Sequence, residues 1–169
     1  KPVADEHAVR MAEILTRGPV HIVYPEEEYP RRRRSIERLA HFWGVDADEI
    51  ALMRGVSEAF QTVIRGIDWR AGDRILISED EEAALLLAVL HLRDRHGVEV
   101  VKIPLVDDAQ AQVQAAIERM DERTRLVALS LVSTDAGWRL PVGPICAEAR
   151  RRGILSFVDT AHAVGLYPL

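Results

Sequence analysis

Three short segments of the chain gather residue types that could do chemistry. In the first, Asp159-Thr160-Ala161-His162 directly follows the apolar run Ile154-Leu155-Ser156-Phe157-Val158. If that run is a strand, Asp159 emerges at its carboxyl end in a partly desolvated place, where a carboxylate usually has a cationic partner, and His162 can face the same cavity. A plain alternative is an aspartate capping the next turn and a histidine satisfied by backbone. In the second segment, Arg54-Gly55-Val56-Ser57-Glu58-Ala59 joins an apolar run to a helical one. Gly55 permits a tight turn, and the free N–H groups of the helix start, with the Ser57 hydroxyl, would suit a phosphate. Ser57 acting only as an N-cap is the bland reading. The third segment, residues 131–139, contributes the hydroxyls of Ser133 and Thr134 and by itself reads as a loop. The Gly55 segment also looks like a hydrolase nucleophile elbow, with Ser57, Asp159 and His162 in that order. An aspartate and a histidine three residues apart at one strand end leave the imidazole little reach to bridge serine and aspartate, which argues against a serine hydrolase. Gly-x-Gly-x-x-Gly is absent, so a dinucleotide site has little support.

The elements that must position these residues follow from the hydrophobic pattern. From residue 46 onward, short β-rich runs alternate with segments of helical period, the pattern of an α/β fold with a mainly parallel sheet and helices on both faces. Five strands are expected, at residues 50–54, 74–78, 98–105, 124–130 and 154–159, with helices near 57–65, 110–120 and 142–152. Another helix carries Glu79, Asp80, Glu81 and Glu82 at its start and Arg93, Arg95 and His96 before Gly97, so charge matches the helix dipole at both ends. Residues 1–45 read as an N-terminal helical segment, and 46–169 as the domain that carries the three chemical segments. Between two helices of the first segment lies Pro25-Glu26-Glu27-Glu28-Tyr29-Pro30, followed by four consecutive arginines, Arg31 to Arg34. The preceding glutamates cancel most of the local field and no aromatic interleaving supports base stacking, so this is a solvated helix start and not a nucleic-acid surface.

Composition narrows the function classes. With 169 residues, 48% hydrophobic and 29% charged, and a net charge of −5, the chain is a globular domain and not a collagen, a disordered tail or a disulfide scaffold. The longest apolar run, residues 83–90, is far shorter than the ~18 residues of a membrane span, and the acidic start after Lys1 is no signal peptide, so a cytoplasmic protein is expected. Cys146 is the only cysteine, which excludes an intrachain disulfide and a multi-cysteine zinc site, and no metal site is expected. Twenty arginines stand against two lysines, Lys1 and Lys102.

In order and spacing, the segments Arg54-Gly55-Val56-Ser57-Glu58-Ala59, Gly72-Asp73-Arg74-Ile75-Leu76-Ile77-Ser78, Arg123-Thr124-Arg125-Leu126-Val127-Ala128-Leu129-Ser130, Arg139-Leu140-Pro141-Val142 and Asp159-Thr160-Ala161-His162 resemble the class V aminotransferase group of pyridoxal-phosphate enzymes. The likeness runs from about Tyr29 to the last residue and leans toward the branch of isopenicillin-N-epimerase-like and cysteine desulfurase-like proteins. It implies part of the large domain of a fold-type I enzyme, pyridoxal 5'-phosphate as cofactor, an amino acid or amine as substrate, and a homodimer. Carried over, Gly55, Val56 and Ser57 would hold the cofactor phosphate, Asp159 would pair with the pyridinium nitrogen, and His162 would approach the phenolic oxygen. The chain departs from the family at three places. Glu82 stands where a histidine usually stacks on the cofactor ring, and Thr134 where many members have an asparagine. The lysine that would bind the cofactor covalently normally follows the Asp159 segment, and neither Lys1 nor Lys102 is placed for it. Glu82 and the lysine give the alternative its weight, a degenerate, non-catalytic relative used for assembly.

Overall fold

The alternation of apolar and helical runs after residue 70 becomes four strands and the helices that cross between them. The computed structural model describes residues 1–18 and 26–166; Pro25 of the glutamate-rich segment and the last three residues covered by the family likeness lie outside the described residues. Two compact units divide the chain, residues 1–52 and 53–169.

In the second unit the order is α3 (Val56–Arg65), β1 (Arg74–Ser78), α4 (Ala83–His96), β2 (Glu99–Ile103), α5 (Ala109–Ile117), β3 (Thr124–Ser130), α6 (Val142–Arg151) and β4 (Leu155–Asp159). All four strands run parallel, in the spatial order β2-β1-β3-β4. The period of two along a strand sends neighbouring residues to opposite faces, and β1 and β3 are apolar on both. Ile75 and Ile77 pack with Leu126 and Ala128 against Phe60 and Ile64 of α3 and Leu85, Val89 and Leu92 of α4. Leu76, Val127 and Leu129 form a second core with Ile103, Ala116 of α5, and Ile145 and Ala149 of α6. Helices therefore cover both faces, as the pattern predicts. Each fully buried Leu or Ile here contributes roughly 1.5–3 kcal/mol, and that burial fixes the strand ends on which the site is built.

One expected element is absent. Residues 50–54 form no strand: Ala51, Leu52, Met53 and Arg54 are exposed, and none pairs with a neighbouring strand. A short apolar run has no intrinsic preference strong enough to make a strand without a ladder partner and a face to bury. The acidic run also lies earlier than the helix it was expected to open, since α4 starts at Ala83 and Glu82 is its N-cap. The first unit holds α1 (Pro2–Arg17), α2 (Glu28–Trp43) and a 3-10 turn, Ala47–Glu49. Three arginines of its run are paired with nearby glutamates. Arg31 bonds Glu13 and Glu27 at 3.2 Å, Arg32 bonds Glu28 and Arg33 bonds Glu37, both at 2.9 Å. Among the described residues, no helix is long and apolar enough to cross a membrane, and no group of three metal-ligating side chains forms.

Candidate functional site

From β1 the chain passes through α4 to β2 on one side of it, and from β2 it returns through α5 to β3 on the other. Such a reversal leaves a crevice beyond the carboxyl ends of the strands, where open α/β sheets bind ligands. A cavity of about 220 Å³ occupies that place. Val56 and Ser57 of α3 line one wall, and Glu82 and Ala84 at the start of α4 a second. Ser130 and Val132, at and just beyond the end of β3, and Asp159, Ala161 and His162, at and beyond the end of β4, complete it.

Asp159 is the buried acid of this cavity, 7% exposed, and it stands in register with Ser130 on the neighbouring strand. Its carboxylate accepts the Ala161 N–H at 2.8 Å, while its backbone carbonyl accepts the Leu131 N–H at 2.8 Å. Opposite it, the N-cap of α3 is Gly55, not Ser57. Ser57 lies inside the first turn, where helix geometry leaves amide N–H groups without partners in the helix. Glu58 holds the approach to that turn: its carboxylate accepts the Arg54 N–H at 2.7 Å and the Arg54 guanidinium at 3.0 Å. Gly55 has φ 164 and ψ 178, extended backbone open to any residue, so the expected tight turn that would demand glycine is not there. A Cβ at Gly55 would meet no protein atom within 4 Å.

The structure thus brings Val56, Ser57, Glu82, Asp159 and His162 to one cavity, with Gly55 capping the helix that supplies two of them. It does not bring Thr134 there. The Thr134 hydroxyl is buried with no hydrogen-bond partner, outside the cavity lining. Ser130 and Val132 were missed by the motif reading, although the rule that favours strand ends points to Ser130 as much as to Asp159. Glu81 was missed as well. It is only 9% exposed, accepts the hydroxyl of Ser130 through Oε1, and leaves Oε2 buried without a partner. Burial pushes its carboxyl above the usual glutamate value, against the lowering effect of the Ser130 hydrogen bond. The nucleophile-elbow reading gains nothing here. Ser57 sits within a helix, and among the described residues no non-glycine residue has the positive φ that the sharp, strained elbow typically adopts.

A doubly covered parallel sheet with an acid at a strand end and a helix start across the cavity defines a cofactor-domain fold of the aminotransferase type. The profile of the Aminotransferase class-V family matches residues 30–169, and the chain belongs to that family. Pyridoxal phosphate is the cofactor of the family. An isopenicillin N epimerase from Streptomyces clavuligerus is 35% identical over 136 residues, which are 79% of this chain and 34% of the relative. A cysteine desulfurase from Pectobacterium atrosepticum is 32% identical over 137 residues, again 79% and 34%. Among solved structures, a C-DES mutant with glycine covalently linked to its PLP cofactor superposes with a TM-score of 0.84 at 25% identity, covering 96% of this chain and 44% of that one. The chain spans about a third of the length of the curated relatives it matches.

Proposed function

We propose that the cavity at the strand ends holds pyridoxal 5'-phosphate and that residues 46–169 form the cofactor-binding part of a homodimeric, cytoplasmic PLP-dependent enzyme. Its substrate is an amino acid or amine, and its reaction is of aminotransferase, epimerase, lyase or desulfurase type. The observation that carries this reading is the buried Asp159 carboxylate at the end of β4, across the cavity from the first turn of α3. The residues fit the group: the amides of Val56 and Ser57 suit its phosphate, Asp159 suits a protonated ring nitrogen, and Ala84, Val132 and Ala161 offer small apolar contacts to its body.

When bound, the cofactor supplies an electron sink for a substrate carbon. The chain's own residues set how well that sink works. Asp159, low in exposure and held by the Ala161 N–H, would be the group to pair with a protonated ring nitrogen of the cofactor. His162 is exposed at the cavity mouth and can donate to an oxygen on the ring edge. The first turn of α3, which lines the cavity with Val56 and Ser57, would hold the phosphate through its free amides.

Titration of the protein with pyridoxal phosphate should produce a visible absorbance band and saturable binding. Asp159→Ala should leave the cofactor bound at the α3 end while turnover falls by roughly 100-fold or more. A protein that stays colourless and gives no heat of binding, or an Asp159→Ala variant that turns over at the parent rate, would refute this assignment.

A further inference from the structure

The acidic run between β1 and α4 is a set of clasps, and one of them closes on the loop beyond β3. Glu79 Oε1 accepts the Leu105 N–H at 2.6 Å, two residues beyond the end of β2, and Glu81 accepts the Ser130 hydroxyl. Between them, Asp80 is steadied by its own N–H on Ser78 Oγ at 3.3 Å. Its carboxylate accepts the Asp135 N–H at 3.1 and 3.2 Å and the Ala136 N–H at 3.2 Å.

The loop it reaches, residues 131–140, is a narrow hairpin. At its base the Leu131 N–H bonds the Asp159 carbonyl, the Leu140 N–H bonds the Leu131 carbonyl, and Val132 bridges Arg139. Within it, the Ser133 N–H bonds the Trp138 carbonyl and Ser133 Oγ accepts the Trp138 N–H at 2.9 Å. Residues 135–137 at its tip are exposed, so little apolar burial holds them. Two consecutive amides sharing one carboxylate form a charge-assisted attachment, the strongest tie available to such a tip. The base of this same loop supplies Val132 to the cavity wall.

We propose that Asp80 is a positioning residue: by accepting the amides of Asp135 and Ala136 it fixes the tip of the 131–140 loop and so holds the Val132 wall of the cavity in the form that accepts the cofactor. This rests on the cofactor reading of the cavity. Without the clasp the loop opens locally, and a ligand must supply the ordering free energy that Asp80 otherwise provides in advance.

The test uses the full-length protein and three variants, Asp80→Ala, Asp80→Asn and, as a control on the neighbouring clasp, Glu79→Gln. Amide hydrogen exchange in the cofactor-free protein reads the clasp itself. Asp80→Ala should speed exchange at Asp135 and Ala136 by about ten-fold or more. Asp80→Asn keeps one carbonyl acceptor and should restore part of the protection, and Glu79→Gln should leave these amides as in the parent. Absorbance titration with pyridoxal phosphate reads the consequence, a five- to twenty-fold weaker dissociation constant for Asp80→Ala, about the effect of losing one ordering contact, with partial rescue in Asp80→Asn. If Asp80→Ala does not fold, the Asp80→Asn comparison decides through the same two readouts. Unchanged protection of Asp135 and Ala136 overturns the proposal, and so does lost protection with unchanged cofactor affinity. A parent protein that binds no cofactor overturns the cofactor reading and the positioning role with it, while the exchange data still show whether the clasp exists.

Discussion

Two adjacent glutamates behave as different chemical groups because one faces the cavity and the other lies behind it. Glu82 lines the cavity beside Ser57, where the family usually has a ring-stacking histidine. A carboxylate has no face to stack on an aromatic ring and adds repulsion toward a phosphate. Glu82→His should therefore tighten pyridoxal phosphate binding by about three- to ten-fold, in line with the ~0.5–1.5 kcal/mol of an aromatic contact. An equal or weaker affinity by absorbance titration would show that the side chain at this position does not face the ring. Glu81, by contrast, acts on stability. Its carboxyl is raised by burial, so the folded state favours the neutral form. The stability it contributes is complete below the ordinary value of 4.5 and is lost as pH rises through the higher folded-state value. Glu81→Gln keeps an acceptor for Ser130 and cannot ionise. Urea unfolding should find this variant more stable than the parent at pH 8 by on the order of 1 kcal/mol, with the gap closing at low pH. Parallel pH profiles for the two proteins would remove Glu81 as the titrating group. Glu148 has the opposite sign. Arg151 and Arg152 hold it at about 2, so its contribution fades as pH falls, equally in parent and variant.

At the scale of elements, α3 shows where glycine matters. Neither the backbone of Gly55, extended at φ 164, nor its packing, with no atom within 4 Å of a built Cβ, requires glycine in the cofactor-free protein. The remaining reason is close approach of a ligand to the helix start. Gly55→Ala should shift the melting temperature by no more than a few degrees, since the loss of N-cap preference and the reduced freedom of the unfolded chain oppose each other. The same change should weaken cofactor binding by about ten-fold or more if phosphate occupies the open space. Unaltered affinity would move the phosphate away from Gly55. The sequence made the strands from residue 74 onward legible because β1 and β3 are apolar on both faces and bounded by turns. Residues 50–54 looked similar and failed, since a ladder partner is a tertiary fact that no local window contains. Asp159 was legible for the same reason as β4, an acid closing an apolar run. Asp80 and Glu81 were not: the donors they accept from, the amides of Asp135 and Ala136 and the hydroxyl of Ser130, lie about fifty residues away along the chain. Charge matching to the helix dipole offered a sufficient local explanation and hid the long-range one.

Strand order governs the whole molecule's use of its few lysines. Lys102 is exposed on β2, the outermost strand on that side of the sheet, and its carbonyl accepts the Arg119 Nε–H at 3.2 Å. Between it and Asp159 lie β1 and β3, and three strand-to-strand steps of ~4.8 Å put roughly 14 Å between the two backbones. A lysine side chain spans about half of that, and an exposed ammonium lacks the desolvation that activates a lysine for covalent catalysis. A long cation on an edge strand has another use, since it discourages pairing with a further strand. Borohydride reduction of the cofactor-loaded protein, followed by peptide mapping, should therefore leave the Lys102 peptide unlabelled, and Lys102→Arg should bind pyridoxal phosphate as the parent does. A pyridoxyl group on Lys102 would mean that the cofactor sits at the β2 edge, and would overturn the placement of the site beside Asp159.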